Sequence, residues 1–355
     1  MKIAYIIPSL SATGPVIVVR NLVDVMTRDG HYCKVYYFDK KDENLVEFIN
    51  NTSVEMIPER GDKIDFTPFD TVHSHGYRPD RYVARYREYS GKVLYVSTIH
   101  NYIFEDLKYQ YNSLVSAIFG RKWLKFLQRM DKVVALSNDA LHYYQKWIDN
   151  QKLYYCYNTR IIDTTEKLDE KLVKEVMEFK NGSSGVDNHH LIGINALLTP
   201  RKGVDIVIKA LPMLPDFKLF VVGDGKQRRK LEKLARKLGV DSRCKFTGYR
   251  ANSHLYLPYY DIFALPSRSE GFPLTLLEAA IYGKVCVASD LPVIEECFES
   301  TLEIFPLSQP RKIVNSIMLA ANNGSFGKAI NRKFITSYNE EKFFEAYKKV
   351  YQKQL

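Results

Sequence analysis

Cysteine is sparse and unpaired in this chain: Cys33, Cys156, Cys244, Cys286 and Cys297 are odd in number, scattered, and form no C-x-x-C. That spacing argues against a zinc site or a disulfide frame and suits reduced core thiols. No D-x-D pair is present, so neither a resident metal nor a cofactor is expected. No G-x-G-x-x-G fingerprint appears, which weakens an NAD-binding reading. Helix-turn-helix, zinc-finger and RNA-binding signatures are missing too, so nucleic acid is not an expected partner. Long apolar runs are also lacking. The opening MKIAYIIPSL is too short to span a bilayer and has no signal-like cleavage region, so it reads as a first buried strand and the chain is expected in the cytoplasm.

What is present is a globular composition. With 355 residues, 46% hydrophobic and 13% aromatic, the chain can build two domains with real cores. A formal net charge of +10 favours anionic partners such as lipid headgroups or phosphorylated substrates. Strand-like runs alternate with helical periodicity from the start. MKIAYIIPSL leads through the small-residue turn SATGP to the apolar positions Val16, Val19, Leu22, Val23 and Met26, and KVYYF follows. The alternation continues through FDTVHSHG, VLYVSTIHN and DKVVALSN. After a polar break at Asn181 to His190 it restarts with LIGINALL, KLFVVG, KFTG, IFALP and VCVASD. Two doubly wound α/β domains are therefore expected. Ligands of such sheets bind outside the carboxyl ends of the strands, which brings His73, His75, His100 and Asn101 forward as candidates. The residues alone leave loop capping open as their role.

Two stretches stand out. In RSEGFPLTLLEAAIYGKVCVASDL, from Arg268, Pro273 suits the first position of a helix and Gly283 the position just past its end, predicting a helix from Pro273 to Tyr282. Glu270 then lies in the loop before that helix and Glu278 within it, with phosphate-attracting backbone N–H groups between them. Glu278 sits in the apolar run LTLLEAAI, where an unpaired carboxylate is costly. From Tyr102 to Met130, aromatic and aliphatic residues mix with Lys108, Arg121, Lys122, Lys125 and Arg129. An anionic membrane surface suits that mixture. Two ordinary core-packing helices with solvated basic sides suit it equally. The tail SYNEEKFFEAYKKVYQKQL carries the stripe Phe343, Phe344, Tyr347 and Tyr351, which must pack on something.

Taken together, the ATGP loop, Thr98 and His100, ALSN, YNTRIID, TPRKGVD, VVGDGKQRRKLE, FTGYR and PSRSEGFPLTLLEA resemble the retaining glycosyltransferases of family 4, over nearly the whole chain. The last segment matches that family's E-x7-E signature. The resemblance implies the GT-B architecture: two Rossmann-like domains facing a central cleft, with a C-terminal helix crossing back to the first. It divides the chain into an acceptor-binding domain over 1–163, with 338–355 packed back on it, and a nucleotide-sugar-binding domain over 164–337.

The same resemblance implies roles. Glu270 stands beside the donor sugar, Glu278 grips the ribose hydroxyls, and Lys202 contacts the diphosphate. The backbone of Gly271, Phe272, Pro273 and Leu274 meets sugar hydroxyls, with Thr275 and Leu276 near the phosphates. Gly14 completes the phosphate cradle, Gly223, Gly225 and Arg250 frame the base, and His100 lines the reaction centre. Relatives commonly carry an arginine where this chain has Leu197, so a diphosphate cation is missing and Arg201 is the candidate replacement. The implied activity is transfer of a hexose or related sugar from a nucleotide-sugar donor, UDP- before GDP-linked, to a lipid-linked or growing glycan. Capsular, exopolysaccharide or lipopolysaccharide synthesis is the expected setting. Sugar-nucleotide epimerisation and non-catalytic donor binding are the alternatives.

Overall fold

The computed structural model describes residues 1–40, 45–48, 52–60, 63–182 and 189–352. The centre of the expected polar break, 183–188, and the last three residues of the tail lie outside them. The chain divides into two compact units, Met1–Ile161 with Tyr338–Leu355, and Ile162–Ser337. The division falls two residues before the boundary expected from sequence.

The first unit is built on seven parallel strands: β1 (Lys2–Ser9), β2 (Tyr32–Asp39), β3 (Ser53–Met56), β4 (Thr71–His75), β5 (Leu94–Thr98), β6 (Lys132–Ala135) and β7 (Leu153–Tyr155), in the order β3-β2-β1-β4-β5-β6-β7. Helices cover both faces of such a sheet, so its central strands read as continuous apolar runs. Ile3 to Ile7 in β1 are accordingly sealed from solvent. The second unit repeats the plan with β8 (His190–Asn195), β9 (Phe217–Val222), β10 (Cys244–Phe246), β11 (Ile262–Leu265), β12 (Val285–Ser289) and β13 (Glu303–Phe305), ordered β10-β9-β8-β11-β12-β13. In both units the order reverses beside the first strand, which is where open α/β sheets form ligand crevices.

The C-terminal helix Glu340–Tyr351 belongs to the first unit. Asn339 caps it, its side-chain oxygen accepting from the Lys342 N–H at 2.8 Å. Phe343, Tyr347, Val350 and Tyr351 are buried, each contributing about 2 kcal/mol by removal of apolar surface from water. Phe344 is only half-buried, with the Lys348 ammonium over its ring. The Tyr347 hydroxyl meets Thr98 Oγ1 at 3.3 Å, and the Tyr351 hydroxyl meets His73 Nδ1 at 2.8 Å and the Tyr5 hydroxyl at 3.2 Å. Thr159 ties the two points where the chain leaves and re-enters this unit. Its hydroxyl donates to the Tyr338 carbonyl at 2.6 Å, and its own carbonyl accepts from Asn21 Nδ2 at 3.0 Å.

Residues Tyr102 to Met130 form the helices Ile103–Gln110 and Ser113–Leu127. Trp123, Leu124, Leu127 and Met130 enter the core. Tyr111, Leu114, Ile118 and Phe119 remain exposed beside exposed Lys108, Arg121, Lys122, Lys125 and Arg129. These helices thus pack one face into the core and leave an apolar, basic one exposed.

Candidate active site

The candidate residues of the second unit come together where two loops meet at the strand ends. After β8 the chain turns through a short 3-10 helix, Pro200–Lys202, and passes Gly203 in the left-handed region at φ +66°. A Cβ there would stand 1.8 Å from the Pro266 carbonyl oxygen, so only glycine lets this turn lie against the loop that follows β11. Arg268 fastens the two loops. Its N–H donates to the Arg201 carbonyl at 2.7 Å, and its guanidinium donates to the Pro200 carbonyl and to both oxygens of Asp205 at 2.9 Å.

This clamp presents a charged cluster. Glu270 is 5% exposed and its Oε1 accepts from Lys202 Nζ at 2.6 Å and from Ser267 Oγ at 2.5 Å. Arg201 Nη1 donates to Glu270 Oε2 at 3.3 Å and to the Ser269 carbonyl at 2.7 Å. Burial pushes the Glu270 carboxyl up, but the Lys202 and Arg201 charges, with the bonds from Lys202 and Ser267, outweigh it and hold it below the usual range. Lys202 and Arg201 both face Glu270, which stays ionised between them.

The adjoining helix runs Leu274–Ile281 and starts one residue later than the sequence predicted. Pro273 occupies the cap position at φ −85°, ψ 83°, near the inverse γ-turn, and the Phe272 carbonyl accepts from the Leu274 N–H at 3.1 Å across it. Leu276 and Leu277 donate to the Pro273 carbonyl at 2.9 and 3.2 Å. Thr275 is thereby left as the first-turn N–H with no backbone acceptor among the described residues, at a helix start with no side-chain cap and no acidic residue in its first turn. Gly271, Phe272, Pro273 and Leu276 are buried, and Leu274 and Thr275 partly exposed. Glu278 lies on the same helix and is 6% exposed.

Gly223 and Gly225 follow β9. Gly223 at φ +146° donates to the Gly248 carbonyl at 2.9 Å, and a Cβ on it would stand 1.9 Å from the Ala196 oxygen, which holds this loop against the one after β8. The Gly225 N–H donates to Asp224 Oδ1 at 2.7 Å. Arg250 lies elsewhere in its bonding, 3.8 Å from Glu175 of the helix Glu170–Asn181. Leu197 is 65% exposed in the loop after β8.

Gly14 and His100 are in the first unit. Gly14 opens the helix Gly14–Arg28, whose cap residue Thr13 makes no side-chain bond and whose first turn carries no acid. His100 follows β5, and its Nε2 lies 2.9 Å from His75 Nδ1. His73 and His75 are not in a loop as the sequence suggested but inside β4, fully buried because both faces of that central strand are covered. Asn101 donates to Asp106 at 2.8 Å and its carbonyl accepts from Tyr144, a structural role. Among the described residues no cluster of histidine, cysteine and carboxylate side chains suits a metal ion.

Comparison with known proteins places this geometry. The family model described as "Glycosyltransferase Family 4" matches residues 12–160, and "Glycosyl transferases group 1" matches 178–336. The O-antigen biosynthesis glycosyltransferase WclY of Escherichia coli is 31% identical over 353 residues, covering 99% of this chain and 98% of its own. The chain belongs to glycosyltransferase family 4. Among solved structures, Anabaena HepE in complex with UDP and glucose superposes with a TM-score of 0.80 at 18% identity, covering 99% of each chain. Sucrose-phosphate synthase from Thermosynechococcus elongatus gives 0.78 at 16%, again over 99% of each. Both likenesses bear on fold, and that fold is GT-B.

Within this glycosyltransferase, Lys202, Arg201 and Glu270 form one constellation. Sequence reasoning missed Ser267, Arg268 and Asp205, which hold it, and the burial of His75 beneath His100. The polar run that precedes Glu270 in PSRSEG was the available signal for the first two.

Proposed function

We propose that the protein transfers a hexose or related sugar from a UDP-linked donor to an acceptor hydroxyl, with retention at the anomeric carbon and without a metal ion. The observation that carries this reading is the ionised Glu270 held between Lys202 and Arg201 beside an uncapped helix start. An arriving diphosphate competes for the two cations and meets the Thr275 N–H with the helix dipole behind it. Charge that grows on the leaving phosphate as the sugar departs is then met by fixed donors. Glu270, released in part from its cations, is placed for sugar hydroxyls, and Glu278 for the ribose. The departing phosphate oxygen takes the acceptor proton on the same face, so no protein nucleophile is required. Arg201 supplies the charge missing at Leu197.

The E. coli relative is named for O-antigen biosynthesis and the Anabaena structure holds UDP with glucose. Both favour bacterial surface polysaccharide assembly from a UDP-sugar, with a lipid-linked or growing glycan as acceptor. The exposed apolar and basic face of the helices Ile103–Gln110 and Ser113–Leu127 fits work at the inner face of a membrane. No helix among the described residues is long and apolar enough to cross one.

Incubation with a panel of UDP-sugars and lipid-linked acceptors, with the anomer read by NMR, tests the chemistry. The α-linked product is expected from an α-linked donor. An inverted linkage, or a donor sugar epimerised without transfer, would overturn it. Failure to float with anionic liposomes at low salt would remove the membrane from the account.

A further inference from the structure

The imidazole of His75 is buried with both neighbours of its ring defined. Its Nδ1 lies 2.9 Å from His100 Nε2, while its Nε2 is sealed from solvent with no hydrogen-bond partner among the described residues. The ring also lies 4.1 Å from that of His73 and 6.3 Å from that of Tyr5. His73 is itself committed, Nδ1 to the Tyr351 hydroxyl and Nε2 to Thr98 Oγ1, both at 2.8 Å.

Two neutral arrangements satisfy the contact between His75 and His100. If His100 donates from Nε2, the proton of His75 sits on its own Nε2, and a buried N–H is left without an acceptor. If His75 donates from Nδ1, only a lone pair is left unmet at its Nε2. Orphaned buried N–H groups are the rarer and costlier of the two. The second arrangement puts the His100 proton on Nδ1. His100 is partly exposed, and its Nδ1 has no partner among the described residues. Burial also pushes His73 and His75 well below the usual histidine range and His100 down to about 3, so neither ring of the pair carries charge at neutral pH.

We infer that His75 is a positioning residue that fixes His100 in its Nδ1–H tautomer, making His100 a hydrogen-bond donor to a substrate oxygen and not a general base. This rests on the proposed sugar transfer for its function, but the tautomer itself is read without turnover. Deprotonation of an acceptor hydroxyl needs a lone pair facing it, and the only lone pair of His100 is spent on His75. An Nδ1–H instead stabilises a substrate oxygen that gains charge.

The test is long-range proton–nitrogen NMR of the full chain labelled with 15N-histidine at pH 7.5, assigned by loss of the His100 signals in His100→Asn. His100 is expected with Nδ1 protonated and Nε2 bare. His75→Asn keeps an N–H near the position of the imidazole Nδ1 and is expected to keep that pattern. His75→Phe, which keeps a ring and removes the donor, is expected to release it. With UDP-glucose as probe, His75→Phe should lower kcat about tenfold with KM unchanged, and His75→Asn should restore it. A protonated Nε2 on wild-type His100 overturns the inference, as does an unchanged kcat in His75→Phe where the tautomer has moved. If the wild type turns over no nucleotide sugar, the proposed function fails while the spectrum still decides the tautomer.

Discussion

Beside the strand ends of the first unit, His73, His75 and Thr98 are fully buried: His73 is bonded to Thr98 and to Tyr351 of the C-terminal helix, Thr98 also to Tyr347, and His75 to His100. Asp80 is buried nearby, its Oδ1 accepting from Ser74 and Ser97 and its Oδ2 from the Trp123 indole. The second unit, wound in the corresponding order, places Lys202, Arg201 and Glu270 next to its own strand ends. One unit seals a hydrogen-bonded polar network, with a single carboxyl in it, inside its core. The other keeps two cations in contact with one buried carboxylate, contacts for which an arriving anion can compete. The same topology thus carries a positioning network in one half and a charge-handling cluster in the other.

The largest effect should come from breaking the charged half. Lys202→Ala is expected to lower kcat by about 10² to 10³, the magnitude of losing one fixed donor to a developing anion. Turnover of UDP-glucose measures it. Arg201 and Ser267 still meet Glu270 in that variant, so the protein should remain folded. An enzyme that keeps its rate but melts far earlier would show the cluster to be structural, and the contrast between the units would collapse.

Acid should separate the units next. A histidine whose folded pKa lies below its unfolded value of about 6.5 takes up no proton in the native state where the unfolded chain does, so stability is full above that value and falls as pH drops below it. His73 and His75, both held well below that value by burial, each contribute to this loss at pH 5. Asp80 works in the opposite sense. Burial pushes its carboxyl up to about 6 against the bonds from Ser74, Trp123 and Ser97, so its contribution is full at low pH and is lost as pH rises through that value. At pH 5 it offsets about 1 kcal/mol of the histidine loss. Glu270, held below the usual range, keeps its charge and its contribution at pH 5. Hydrogen exchange at pH 7.5 and 5 should therefore show β4, β5 and the helix Glu340–Tyr351 losing protection first. Earlier opening of β11 and β12 would reverse the comparison.

How far this contrast was readable beforehand differs by element. Central strands were plain because burial on both faces writes an unbroken apolar run, as in IAYII of β1. The edge strand β3 is four exposed residues and β13 is only three residues long with Phe305 buried, so neither leaves a periodic trace. Each member of the charged cluster was visible as a candidate through the family motifs. Their convergence was not, since Lys202 and Glu270 are 68 positions apart and the Arg268 clamp closes on Asp205 across 63. His73 and His75 were misplaced for a physical reason. In TVHSH four of the five residues are polar, the mark of a loop or an exposed strand, and burial of His73 is made tolerable by Thr98 and by Tyr351 of a helix 278 residues later.

The smallest effect concerns the tie that keeps the C-terminal segment within the first unit. Thr159 is buried, and its hydroxyl bond to the Tyr338 carbonyl is a neutral one inside the protein. Thr159→Val keeps the shape and leaves that carbonyl without this donor, a loss of about 1 kcal/mol. The midpoint of thermal unfolding should fall by about 2 °C, since a chain of this size spreads that energy over a large unfolding entropy. Because His73 also depends on Tyr351, the loss should be felt at β4 and not at β8. The exchange rates of the two strands are the measurement, and equal loosening of both would mean that the polar network of the first unit is not what holds the C-terminal helix.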